Sequence, residues 1–102
     1  MSKDFIDNEI DEAHDLIKHG DFEQAVMQLK DIKLRVHDKE ILDSIKKFEN
    51  EHDSVLEQRL REIEKSTVDP LRKQSQIFEQ LSNYARSYLS FYDKLRKEYE
   101  IY

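Results

Sequence analysis

Two pairs of residues in this chain have the spacing of metal ligands on a helix. Glu49-x-x-His52 and Asp11-x-x-His14 each set a carboxylate and an imidazole three residues apart, which brings them to one helical face. Di-iron bundles use two such Glu-x-x-His pairs, with a further Glu from each of two other helices. His52 stands among Asn50, Glu51 and Asp53, a setting that reads as a solvated face. With 23 Asp and Glu in 102 residues, such spacings also arise by chance. A metal-binding helical bundle is therefore only an alternative reading, and no residue is assigned as a metal ligand.

The remaining chemistry is thinner still. There is no cysteine, so thiolate zinc sites, disulfides and thiol nucleophiles are excluded. No serine lies in a glycine-flanked elbow. A single glycine cannot build a phosphate-binding loop. His14 lies inside a helical segment and His19 and His37 lie near helix ends, where an imidazolium is simply favourable. We expect no catalytic residue and no cofactor, and hence not an enzyme.

These side chains have to be held by something, and the composition says what. One Gly and one Pro in 102 residues leave few tight turns, whereas a sheet protein of this length needs many. The elements must be long, and the expected fold is all-α, a single domain over residues 1–102. Charged residues make up 39%, and their periodic spacing assigns them to the outer faces of helices rather than to disorder. The longest apolar run is Ala25-Val26-Met27, too short to span a bilayer. With no hydrophobic leader after Met1 and no cysteine, the expectation is a cytoplasmic protein that does not enter membranes.

Four segments follow from the stripes. The first helix is expected over 4–19, with Ile6, Ile10, Ala13 and Ile17 on one face and Gly20 as its stop. Asp21 is the expected N-cap of the second, with Gln24 completing a capping box. Its stripe runs Phe22, Ala25, Val26, Leu29, Ile32 and Val36. So short a connection makes residues 4–36 an antiparallel helical hairpin. A long third helix is expected over 38–65, separate from the second or continuous with it through a bend. Its stretch around Glu49 to Ser54 is almost wholly polar and reads as exposed. Ser66-Thr67-Val68-Asp69-Pro70 then breaks the chain, with Asp69 as cap and Pro70 in the first turn of a helix over 70–101. The expected architecture is a three- or four-helix bundle with an N-terminal antiparallel hairpin and two long helices.

Within the hairpin, the run Ala13-x-x-Leu16-x-x-x-Gly20-Asp21-Phe22-Glu23-x-Ala25 resembles the middle of a tetratricopeptide repeat. That family sets a small residue, a large apolar residue, a turn glycine, an aromatic and a second small residue at this spacing. The resemblance covers residues 5–36. The family's Trp and closing Pro are missing and no second copy follows. It implies one hairpin of that type, not an array.

The last helix carries the strongest pattern. Leu71, Gln74, Phe78, Leu81, Ala85, Tyr88, Tyr92, Leu95, Tyr99 and Tyr102 follow a three-four spacing, the seam of a coiled coil. Ile77, Tyr84 and Phe91 form a second stripe beside it. The apolar face is wider than one neighbour can cover, and a short hairpin cannot cover two helices of twice its length. Tyrosine is enriched at interfaces. The expected function is therefore a non-catalytic protein–protein interaction module that self-associates through this helix. Leu81, Tyr84, Tyr88, Tyr92, Leu95 and Tyr99 are the expected contacts, and a homodimer the expected assembly.

The other alternative is a small nucleic-acid-binding regulator that uses Arg72, Lys73, Arg86, Lys94, Arg96 and Lys97. The net charge of −6 works against it. The charge is uneven, however: residues 69–102 carry six basic and five acidic side chains.

Overall fold

The structure is a computed structural model and describes residues 3–66 and 68–99. The chain is all-α. Helix α1 spans Lys3–Lys18, α2 Phe22–Ile32, α3 Lys39–Ser66 and α4 Pro70–Tyr99, with a 3₁₀ turn at Lys33–Arg35 after α2. No strand occurs among the described residues.

The hairpin turn forms as its residues require. Gly20 takes φ +81°, the left-handed conformation that only glycine adopts without strain. The Asp21 amide then donates to the Leu16 carbonyl at 2.8 Å and the Gly20 amide to that of Ile17 at 3.0 Å. These two bonds make a Schellman motif and satisfy the last carbonyls of α1. The expected capping box at Asp21 does not form: its side chain makes no capping hydrogen bond. The turn is so short that Asp21 closes α1 and opens α2 at once, and its backbone follows the first task.

Helices α2 and α3 are separate. After the 3₁₀ turn, Val36 is extended (φ −91°, ψ 124°) and buried. Asp38 restarts the helix, its Oδ1 accepting from the Glu40 amide at 2.9 Å and the Ile41 amide at 3.2 Å. At the next corner Asp69 Oδ1 accepts from the Leu71 amide at 3.1 Å, and Pro70 opens α4, where its missing N–H costs nothing.

Helix α4 is the centre of the molecule and packs against each of the other three, whereas α2 and α3 are not closely packed on each other. Ile10, Leu29, Ile32, Ile45, Tyr88 and Tyr92 are the largest fully buried side chains. Ala13 and Ala25 are fully buried too, and their small size lets α1 and α2 approach closely. With 28 and 30 residues, α3 and α4 run roughly 42 and 45 Å at the helical rise. The 16 and 11 residues of α1 and α2 reach only about 24 and 16 Å. The molecule is accordingly elongated, 51 × 26 × 18 Å, and α1 and α2 cannot cover the full length of α4.

Candidate interaction surface

The expected contact residues fall into two groups. Tyr84, Tyr88, Tyr92 and Leu95 are buried inside the single chain. Their rings form a chain down α4: Tyr84 meets Tyr88 edge-on at 5.6 Å, and Tyr88 stacks on Tyr92 at 5.3 Å and on Phe48 of α3 at 5.1 Å. They are core in one copy, because α1, α2 and the start of α3 all close over this half of α4. Leu81 is half-buried. The side chain of Tyr99 and all of Tyr102 lie outside the described residues.

Beneath the aromatic chain lies a polar ladder that the sequence reading missed. The Tyr88 hydroxyl donates to Glu49 Oε2 at 2.6 Å, and Lys33 Nζ donates to Glu49 Oε1 at 2.8 Å. One turn along, the Tyr84 hydroxyl donates to Asp53 Oδ1, and Lys30 Nζ donates to Asp53 Oδ2 at 3.1 Å. Each rung runs lysine (Lys30 of α2 or Lys33 of the 3₁₀ turn that follows it), carboxylate (α3), tyrosine (α4). The stretch around Glu49 is thus not simply exposed: Glu49 is 6% accessible. A carboxylate can be buried there because it accepts from an ammonium and a phenol together. Matching spacings were the available signal, since Glu49/Asp53 and Tyr84/Tyr88 both step by four. Nothing in a single sequence says which helix faces are brought together.

Burial raises the pKa of Tyr84 and Tyr88, and the carboxylates they donate to raise it further. Burial likewise raises that of Tyr92, and the neighbouring Tyr88 hydroxyl offsets this in part, although the Tyr92 hydroxyl completes no well-formed hydrogen bond among the described residues. All three phenols are therefore held in the protonated form at neutral pH.

The residues of the metal alternative are engaged elsewhere, as are three of the six basic residues of the nucleic-acid alternative. His52 turns from Glu49 to stack on Phe48 at 3.8 Å, with Nδ1 3.0 Å from the Phe48 carbonyl. His14 lies 2.8 Å from Asp93, while Asp11 accepts from Arg96 at 3.1 Å. No group of three or more His, Asp or Glu that could hold a metal gathers among the described residues. Arg72, Arg86, Lys94 and Lys97 are exposed and share one flank of α4, with Glu79 among them; Lys73 and Arg96 lie off that flank. Arg96 sits among Asp7, Asp11 and Asp93; burial opposes its charge, and the carboxylates outweigh that and raise its pKa. Arg86 lies over the Phe22 ring at 5.6 Å, and Lys73 pairs with Glu64 at 3.2 Å.

What remains open is the other half of α4. Leu71, Phe78, Ala85 and Tyr92 recur every seven residues and share one face of the helix. Their exposures are 78%, 53%, 0% and 1%. The change comes where α2 begins: Phe22, its first residue, meets Phe78 edge-on at 5.0 Å. Beyond that contact no element of the described chain covers the seam. Val68, at the corner, is 92% exposed. A shallow groove between α3 and α4, about 360 Å³, is lined by His52, Arg59, Gln80 and Asn83 among others. It gathers no set of ligands for a metal or an anion.

No helix among the described residues is long and apolar enough to cross a membrane. Compared with known protein families, with curated proteins and with solved structures, the chain matches none of them.

Proposed function

We propose that this protein is a non-catalytic protein-interaction module that docks a partner helix along the uncovered N-terminal half of α4. The observation that carries the reading is the single column Leu71, Phe78, Ala85, Tyr92, which runs from mostly exposed to fully buried within one helix. An apolar seam of coiled-coil spacing is built to face a helix, and half of this one faces none. The buried half rules itself out as a docking surface in the folded monomer. The tyrosines there serve to seat α1, α2 and α3, and the contact moves to Leu71, Phe78 and the half-buried Leu81.

The test is a photo-reactive amino acid at position 71, compared with the same probe at position 47, an exposed lysine on α3. In the expressing cell we expect a discrete protein adduct from position 71 and none from position 47. Absence of any adduct at 71, or equal labelling at both positions, overturns the reading.

A further inference from the structure

We infer that the partner on this surface is a second copy of the chain, packed antiparallel across a two-fold axis near Ser75. The inference rests on the docking surface proposed above and names its occupant.

Three observations support it. The first is charge. Residues 54–83, the part of the α3–α4 hairpin that extends toward the far corner, contain five acidic and five basic side chains. Their net charge is zero in a molecule of net charge −6. Two copies meeting here bring no net repulsion, whereas contact through the rest of the molecule would oppose like charge.

The second is the order of charge beside the seam. Arg72 and Glu79 are exposed, neither has an ion-pair partner among the described residues, and they share one flank of the Leu71/Phe78 column. A two-fold axis that pairs helices antiparallel brings like flanks together. Arg72 of each copy then meets Glu79 of the other, and symmetry makes the pair twice. A parallel pairing brings opposite flanks together and leaves both charges without a match.

The third is the shape of the face. Leu71, Ser75, Phe78 and Ser82 follow one another at four, three and four, alternating large and small. In the antiparallel register Phe78 of one copy fits between Leu71 and Ser75 of the second. Ser75 meets its own symmetry mate near the axis, where a small hydroxyl allows close approach and can both donate and accept. The partner's tip then lies where α2 begins, so the seam that α2 covers from Phe22 onward is continued by the second copy.

The experiment is solution mass by light scattering over a range of concentrations, with circular dichroism to check folding. We expect the wild type to be a dimer and Phe78→Glu to be a folded monomer. Arg72→Glu alone and Glu79→Arg alone should each weaken dimerisation on the order of tenfold or more, since both symmetric attractions become repulsions. An equimolar mixture of the two single variants should regain wild-type affinity as a heterodimer, as should the double variant with itself. A parallel dimer would show no such rescue, and that result overturns the antiparallel register. A wild type of single-chain mass at every concentration overturns the second copy as occupant while leaving the position 71 adduct to report on another partner. A dimer indifferent to Phe78→Glu overturns the surface itself.

Discussion

Leu71 and Ala85 stand two heptads apart on the same column of the same helix, yet one is 78% exposed and the other fully buried. The helix around them does not differ in kind, since both halves carry the same three-four pattern. The difference is external. The hairpin of α1 and α2 turns just before Phe22, and the two helices cover only what their length reaches. A seam written continuously along α4 is therefore core in one half and surface in the other. The comparison separates two uses of one pattern, and substitutions in the two halves should have opposite consequences.

The largest contrast is between Ala85→Glu and Phe78→Glu. A charge at position 85 has neither space nor partner, and burying an unpaired carboxylate costs several kcal/mol. We expect Ala85→Glu to abolish cooperative unfolding by circular dichroism. Phe78→Glu should unfold within about 1 kcal/mol of a monomeric reference. Equal loss in both would show that Phe78 is core.

Alkaline pH should act on the buried half alone. Tyr84, Tyr88 and Tyr92 have folded pKa values raised well above the ordinary value of 10.0. Above that pH the unfolded chain releases phenolic protons that the folded chain keeps, so the native state binds more protons and stability falls as pH rises. The slope approaches about 1.4 kcal/mol per pH unit for each such tyrosine. Denaturant unfolding between roughly pH 8 and 12, with tyrosinate absorbance followed in parallel, checks this. A flat profile would mean that the phenols ionise freely in the folded state.

A smaller effect distinguishes two neighbouring tyrosines. Tyr88→Phe leaves Glu49 buried with one donor fewer and should cost about 1–3 kcal/mol. Tyr92→Phe removes a buried hydroxyl that completes no well-formed hydrogen bond among the described residues and is only weakly coupled to that of Tyr88, so it should cost clearly less, close to neutral. Comparable losses from both would place an unseen partner on Tyr92. The smallest effect is expected at the tip, where Leu71→Gln should change monomer stability by less than about 0.5 kcal/mol.

Much of the fold is determined by local chemistry and was legible in the sequence. One glycine with φ +81°, the aspartate cap at Asp69 and Pro70 in its first turn set where helices start and stop, whereas the cap at Asp38 was not foreseen and the one expected at Asp21 does not form. These devices act within a few residues, so the clearest of them can be found by spacing. The apolar stripes likewise identify which face of each helix seeks cover. What remained hidden is what covers each face, because that depends on residues far apart in the chain. Glu49 reads as a solvated residue in its own helix. It becomes a buried acceptor only because Lys33 and Tyr88, 16 and 39 residues away, arrive from the 3₁₀ turn after α2 and from α4. Tyr88 and Phe78 belong to one unbroken seam, and the end of α2 decides which of them is core. The sequence determined the pattern and the helices that carry it. Only the tertiary structure decided which half of the pattern was already occupied, because coverage depends on relative helix lengths and docking positions rather than on periodicity.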